Sequence, residues 1–273
     1  ASRDAEDAVM RGDELGPLHG IPVPYKDTEP MKGVIWTHGS LTYKDNIAEF
    51  DSIPLSRVKD AGGIITGKTN TPENGFAGTT ENRLGPPARN PWNPNKTPGG
   101  SSGGASAAVA SGLTSFAPGG DGGGSVRIPA GFAGGYGIKA TQGRVARAAS
   151  PTRNAGHNIM NNATSGPLTR TVRDAAETLA IFSGYHPRGE YDMITDDVPD
   201  YVGALTKGVK GMKIGWTPDM GGNPVDPEVV KIAESAAKTF EDAGAIVETV
   251  DFNPSDYEDV FWTFFDYFTI KGL

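Results

Sequence analysis

Apolar residues recur at helical spacing in two long segments of the chain. In 171–184 they fall every three or four positions and stop at Gly184, a typical helix terminator. In 226–245 the same spacing follows Asp226, a good N-cap, and Pro227, which is favoured at the first helical position. The pattern therefore predicts a helix in each segment.

Shorter patterns complete the predicted secondary structure. Further helices are expected at 4–11, 51–63, 101–112 and 256–268. Runs of apolar or β-branched residues predict strands at 21–26, 64–66, 113–120, 136–141, 212–216 and 246–250. The acidic segment 186–200 is expected to be an exposed loop. Because strands alternate with helices, the pattern indicates an α/β layered fold with a mixed or parallel sheet.

Composition and charge exclude several classes of protein. The 273 residues carry a formal net charge of −8, which argues against nonspecific binding to nucleic acid. There is no cysteine, so disulfides and thiolate chemistry are excluded. The sequence has no apolar run long enough to cross a membrane, and its charged start is unlike a signal peptide. We therefore expect a cytoplasmic protein with no membrane or nucleic-acid partner.

One short motif suggests a nucleotide-binding protein. The segment GGIITGKT, residues 62–69, matches the phosphate-loop pattern, which needs a strand before it, a flexible loop inside it and a helix after it. Here a predicted helix precedes the segment, β-branched residues fill its interior, and Pro72 soon follows. We instead predict a helix, a glycine cap and a strand with Lys68 at its end. A nucleotide-binding phosphotransferase thereby loses its main support.

The glycine-rich segment GGDGGGSVRIPAG, residues 119–131, places three consecutive glycines before Ser125. Glycine lets successive N–H groups converge on an anion, either a phosphate or the oxyanion formed when a carbonyl is attacked. A helix opening at 126–132 would aim its first N–H groups at the same point. If the anion is an oxyanion, Ser125 is the attacking nucleophile.

A serine nucleophile needs a general base. The four histidines lie in ordinary loop contexts, and the chain has no G-x-S-x-G elbow. A lysine can act as the base when burial keeps it neutral. Lys26, at the end of the apolar segment IPVPYK, is a candidate, although a surface lysine at a strand end fits the same pattern.

A second serine cluster, TPGGSSGGASAA at 97–108, resolves this choice, because with it the sequence resembles the amidase signature family. The resemblance covers most of 10–185, in the order and spacing of the family. The matching segments are GPLHGIPVPYKD (16–27), AGGIITGKTNTPE (61–73), TTEN (79–82), RNPWNP (89–94), PGGSSGGASAAVASG (98–112), GGDGGGSVRIPAG (119–131), GIKATQGRV (137–145) and SGPLTRTVRDAA (165–176).

The resemblance implies a catalytic triad of one lysine and two serines. Lys26 matches the base of the family, Ser101 matches the serine that follows a cis peptide bond, and Ser125 matches the nucleophile. The implied oxyanion donors are the N–H groups of Gly122, Gly123, Gly124 and Ser125. No metal ion and no cofactor is implied.

Five further residues are expected to support the triad. Ser102 is expected to donate a hydrogen bond within the network, and Thr79 and Thr80 to line the substrate pocket. Asp121 and Arg127 are expected to brace the glycine-rich loop rather than to take part in the chemistry.

The resemblance also implies a fold, namely a mixed β-sheet core covered on both faces by α-helices. We expect residues 1–273 to form a single amidase signature domain. Because members of the family are longer, the chain is expected to be a fragment or the N-terminal part of a longer protein, with the fold incomplete at its C-terminus. A compact relative of the family, or a protein whose remainder is a separate piece, is left open.

The implied reaction is hydrolysis of a carboxylic amide to acid and amine through an acyl-enzyme on Ser125. Esters and carbamates are further candidate substrates. An alternative in the same family is an amidotransferase subunit that releases ammonia from glutamine for tRNA-dependent amidation. The segment SVRIPA differs from the SIRQPA common in that branch, so Ile128 favours the amidase.

A third alternative, a non-catalytic binding protein on the same scaffold, conflicts with the presence of the lysine and both serines. The expected partner is a small-molecule amide substrate, and assembly into a homodimer is left open.

Overall fold

The computed structural model describes residues 1–147, 163–189, 194–252, 258–263 and 266. The helices are α1 (Ser2–Arg11), α2 (Ile53–Asp60), α3 (Gly103–Ala110), α4 (Arg127–Ala133), α5 (Val172–Phe182), α6 (Tyr201–Ala204) and α7 (Pro227–Asp242). The strands are β1 (Pro22–Lys26), β2 (Ile64–Thr69), β3 (Phe116–Asp121), β4 (Tyr136–Gly137), β5 (Thr164–Thr169), β6 (Lys213–Trp216) and β7 (Ile246–Thr249). Residues 258–263 are also helical, and parts of the helix expected at 256–268 and of the loop expected at 186–200 lie outside the described residues.

The chain divides into two compact units, Ala1–Val202 and Gly203–Leu273. In the first unit β1 and β2 form a parallel pair, while β5 lies between β3 and β4 in an antiparallel sheet. In the second unit β6 and β7 form a parallel pair, and α7 connects them in sequence. The mixed α/β class expected from the sequence is confirmed.

Local signals account for most of the observed elements. The Ser52 side chain accepts a hydrogen bond from the Leu55 N–H at the start of α2, and Asp226 caps α7 in the same way. The segment 62–69 forms a glycine cap followed by a continuous strand, so it is not a phosphate loop.

Two strands differ from expectation. β4 is only two residues long, whereas a strand over 136–141 was expected. β5 was not predicted, because Gly166 and Pro167 at its centre lower strand propensity. All six residues of β5 are nevertheless buried between β3 and β4. A side chain at Gly166 would collide with the carbonyl oxygen of Ile138, so the glycine allows this close approach.

Two hydrophobic clusters stabilise the first unit. The larger cluster joins β1, α2, β3 and α5, and the smaller one joins α3, α4 and the antiparallel sheet. The buried members of the larger cluster are Val23, Tyr25, Leu55, Val58, Phe116, Ala140, Val145, Leu179 and Phe182. Those of the smaller cluster are Ala105, Val109, Ala117, Val126, Ala130 and Leu168. The segments 97–108 and 119–131 therefore run into α3 and α4, two helices that are fixed by packing.

Arg57 ties α2 to the end of α5 through backbone acceptors. Its guanidinium donates to the carbonyl oxygens of Phe182, Gly184 (2.8 Å) and Tyr185 (2.9 Å). Because these carbonyls would lose a charged donor, Arg57→Met is expected to lower the free energy of unfolding by about 2 kcal/mol. Urea denaturation measures this change.

Arg173→Met is the matched control for this prediction. Arg173 is exposed on α5, and among the described residues its side chain forms an ion pair only with Glu177, one turn away. Such a surface pair contributes about 0.5 kcal/mol or less. Equal losses of stability in the two variants would contradict the role of Arg57.

Candidate active site

Lys26 ends β1 and points into the interior, with 2% of its surface exposed. Its Nζ lies 2.6 Å from Ser101 Oγ. Burial lowers the pKa of Lys26 to about 7, an effect that Arg147 reinforces and that Glu29 and Asp121 oppose. A large fraction of Lys26 is therefore a neutral amine, and so a usable base, near neutral pH.

Ser101 is held by a tightly packed turn before α3. The Gly100–Ser101 peptide bond is cis, as the resemblance implies. A Cβ at Gly100 would lie 2.5 Å from the carbonyl oxygen of Thr79, so the backbone at Thr79 packs directly against this turn. Thr80 Oγ1 donates to the Gly99 carbonyl (2.8 Å) and accepts from the Gly103 N–H (3.1 Å).

The two threonines expected to line the pocket therefore have different surroundings. Thr80 is buried and braces the turn that carries Ser101, whereas Thr79 is exposed. Thr80 therefore supports the turn through buried hydrogen bonds to its backbone. Thr79 lies beside the turn at the protein surface.

Ser102 links the two serine segments. It is fully buried, and its hydroxyl donates to the Gly120 carbonyl at 3.4 Å. Its N–H donates to the carbonyl oxygen of Ser125 at 3.2 Å. The backbone of Ser125 thus lies against the residue that follows Ser101.

The glycine-rich turn between β3 and α4 is organised around the Asp121 carboxylate. Asp121 accepts from the N–H groups of Gly124 (2.7 Å), Val126 (3.2 Å) and Arg127 (3.2 Å), and from the Arg127 guanidinium (2.9 and 3.0 Å). Burial alone would raise the pKa of Asp121, but these hydrogen bonds outweigh it and hold the pKa below its usual range. Asp121 and Arg127 brace the loop, as expected.

The donors around Ser125 point in different directions. The Gly124 N–H, expected to face an oxyanion, donates to Asp121. The N–H groups of Gly123 and Ser125 have no acceptor among the residues that the structure describes. Ser125 is a partly exposed residue, and its hydroxyl has no hydrogen-bond partner in that same part of the chain. The loop therefore carries a serine hydroxyl and two N–H groups that are not bonded to other described residues.

Gly75 is a neighbour of the site that the sequence analysis missed. It adopts a left-handed conformation, and a Cβ there would lie 3.3 Å from Ser101 Oγ. The only local signal is the turn-forming run PENG, which predicts a turn but not what the turn approaches. Gly75 leaves the space beside the Ser101 hydroxyl open.

Breaking the Asp121 brace should disturb the loop more than removing Arg127. In Asp121→Asn the amide NH₂ would face N–H donors, so the loop must rearrange. For a reaction at Ser125 we expect kcat to fall by about 100-fold, with a smaller change in KM, because a misdirected oxyanion donor acts mainly on the transition state. Steady-state kinetics measures both parameters.

Arg127→Gln is the companion variant. The Arg127 side chain is 54% exposed, and its loss leaves the three N–H bonds to Asp121 in place. Its kcat should fall several-fold less than that of Asp121→Asn. An unchanged kcat in Asp121→Asn would show that the brace does not hold the reactive groups.

Neither a metal-binding cluster nor a membrane-spanning helix is found among the described residues. No group of three or more His, Cys, Asp or Glu there is placed to hold a metal ion. No helix in this part of the chain is long and apolar enough to cross a membrane.

The mixed α/β fold, with a buried lysine against a Gly-Gly-Ser-Ser turn and a glycine-rich serine loop, defines the amidase signature class. The sequence profile described as Amidase matches residues 1–267, and the chain belongs to this family. An acylamidase from Rhodococcus erythropolis is 42% identical over 247 residues, which cover 89% of this chain and 50% of the relative.

Two further relatives show the range of the family. One subunit of the glutamyl-tRNA(Gln) amidotransferase of Carboxydothermus hydrogenoformans is 37% identical over 262 residues, or 94% of this chain and 52% of that protein. The crystal structure of a bacterial aryl acylamidase of the amidase signature family superposes with a TM-score of 0.88 at 34% identity. The match covers 98% of this chain and 56% of the other, so the chain spans about half the length of the relatives it matches.

Proposed function

We propose that the protein is an amidase that hydrolyses a linear carboxylic amide to an acid and an amine, with Ser125 as nucleophile. The observation that carries the proposal is the buried Lys26 amine, 2.6 Å from the Ser101 hydroxyl and with its pKa lowered to about 7 by burial. A lysine buried here for structural reasons alone would destabilise the fold, because burying an ammonium group without a carboxylate partner costs free energy.

The proposed first step forms the acyl-enzyme. In this step the Ser125 side chain turns towards Ser101, because the structure bonds Ser101 Oγ to Lys26 but not to the Ser125 hydroxyl. Ser125 Oγ bonds to the carbonyl carbon while its proton passes to Ser101 Oγ, and the Ser101 proton passes to neutral Lys26 Nζ. The carbonyl electrons move onto oxygen, where the N–H groups of Gly123 and Ser125, with Gly122 beside them, stabilise the negative charge. The C–N bond then breaks, and the leaving amine receives the proton back through the same two groups.

The second step releases the acid. Water attacks the ester carbonyl of the acyl-enzyme and loses its proton along the path to Lys26. The bond to Ser125 Oγ breaks, and Ser125 regains a proton from Ser101. Proton transfer uses only side chains of this chain.

The surroundings of Ser125 favour an uncharged acyl or aryl amide. Ile128 packs against the loop, since a Cβ at Gly124 would lie 2.6 Å from its Cδ1. Its apolar side chain offers no hydrogen bond to the charged or carboxamide groups of glutamine. The relatives described as acylamidase and aryl acylamidase support the same substrate class.

A panel of chromogenic amides, esters and carbamates tests the proposal on the wild-type protein and on Ser125→Ala. We expect turnover of aryl or acyl amides by the wild type only. Absence of turnover across the panel, together with resistance to a fluorophosphonate, would support a non-catalytic protein instead.

The amidotransferase subunit remains the second candidate, because several relatives of 36–39% identity have that name. A glutaminase assay with and without the partner subunits of such an enzyme separates the two functions. Release of ammonia from glutamine that depends on those subunits would favour the second.

A further inference from the structure

Lys68, the residue that makes 62–69 resemble a phosphate loop, lies on β2 directly opposite Tyr25 of β1. The next pair in the register is Lys26 and Thr69. Because neighbouring residues on a strand point to opposite faces, Lys68 and Lys26 extend from opposite faces of this two-stranded sheet. Only 15% of the Lys68 side chain is exposed, so its ammonium needs partners inside the protein.

Those partners belong to the turn that follows Lys26. Lys68 Nζ donates to the carbonyl oxygen of Glu29 and lies 3.5 Å from Asp27 Oδ1. Asp27 Oδ1 is buried and has no hydrogen-bond donor among the described residues, so the Lys68 ammonium is what balances it there. The other carboxylate oxygen accepts from the N–H (3.2 Å) and the hydroxyl of Thr37.

The turn formed by residues 27–29 is also hydrogen-bonded to the backbone of Lys26 and of β2. The Glu29 N–H donates to the Lys26 carbonyl at 3.0 Å, and the Asp27 N–H donates to the Thr69 carbonyl at 3.2 Å. Lys68 therefore holds both the first and the last residue of the turn that fixes the end of β1.

We propose that Lys68 is a positioning residue for the reaction: its ammonium clamps Asp27 and Glu29 and so keeps Lys26 Nζ within reach of Ser101. The proposal rests on the function proposed above. It also gives Lys68 of the segment 62–69 a role in the amidase site that does not involve phosphate.

Lys68 and the base Lys26 share one charged neighbour, Glu29. The charged and titratable groups that act on Lys68 are Asp27, Glu29 and His38, and those that act on Lys26 are Glu29, Asp121 and Arg147. Without Lys68, the carboxylates of Asp27 and Glu29 lose a nearby buried positive charge. The more negative surroundings favour the protonated form of Lys26, so the pH at which it becomes neutral rises.

Competitive acetylation with acetic anhydride over a pH series, read on Lys26 by peptide mass spectrometry, tests this in the full chain. We expect the Lys26 midpoint in Lys68→Met to rise by roughly half a pH unit or more. The value of kcat/KM at pH 7 should fall by about 10- to 100-fold, since a small displacement of a reactive group is costly. Lys68→Arg should recover most of the activity.

Two further variants separate the charge from the fold. Asp27→Asn keeps Lys68 and should move the Lys26 midpoint to lower pH, while Lys68→Met combined with Asp27→Asn should return it towards the wild-type value. Lys59→Met, which removes a surface ion pair with Asp51, should change neither readout.

An unchanged Lys26 midpoint in both Lys68→Met and Asp27→Asn would overturn the proposal. The acetylation readout does not require turnover, so it tests Lys68 even if the wild type hydrolyses no amide. Failure of the wild type in the amide panel would instead reject the proposed function.

Discussion

Ser125→Ala is expected to lower kcat for amide hydrolysis by on the order of 10⁶-fold, the loss typical when the nucleophile of such a relay is removed. The acyl-enzyme cannot form without the Ser125 hydroxyl. KM should change little, because the Gly123 and residue-125 N–H groups and the Asp121 brace remain. Steady-state kinetics with a chromogenic amide measures the effect.

Ser111→Ala is the matched control. Ser111 is an exposed serine just beyond α3, and its hydroxyl bonds only to carbonyls of the same helix among the described residues. Its kcat should equal that of the wild type. Most of the activity surviving in Ser125→Ala would mean that another group performs the attack.

Lys26→Met is expected to lower kcat by up to about 10⁴-fold, the upper range for loss of a general base. Methionine keeps an unbranched side chain of similar bulk but lacks the terminal amine, so it accepts no proton from Ser101. In the wild type, activity should rise with pH through about 7, because Lys26 must lose its proton before it can act. In the variant this rise should disappear, and a pH series of kcat/KM measures both effects.

The same variant should be more stable than the wild type at low pH. The folded protein holds the pKa of Lys26 at about 7, below the ordinary value for lysine. Between those values the unfolded chain binds more protons, so wild-type stability rises with pH across that window and is lowest below it. Lys26→Met lacks this cost. Urea denaturation at pH 6 should therefore give the variant the higher free energy of unfolding. A less stable variant at that pH would contradict the burial of a lysine that has no carboxylate partner among the described residues.

Local chemistry in the sequence predicted the elements that depend on it. The Asp226 cap and Pro227 placed the start of α7 correctly, and β-branched residues identified the strand after Gly63. The mixed α/β class followed from the alternation of these elements. β5 escaped prediction because its strand geometry comes from burial between two neighbours and not from its own residues.

In the candidate site, too, some features could be predicted from the sequence and others depend on contacts between distant segments. Segments distributed over much of the chain pointed to Lys26, Ser101 and Ser125 together, although none of them is informative alone. The direction of the Gly124 N–H depends on Asp121, and the partners of Lys68 lie across a strand pair. Such contacts follow from how the backbone folds back on itself, so no local pattern could reveal them.

Reaction with a fluorophosphonate, followed by peptide mass spectrometry, measures most directly whether Lys26 and Ser101 activate Ser125. We predict one adduct per chain, on Ser125, with a rate that rises as pH increases through about 7 and is lost in Lys26→Met. An adduct on Ser101 or elsewhere, or a rate unaffected by Lys26→Met, would contradict the relay.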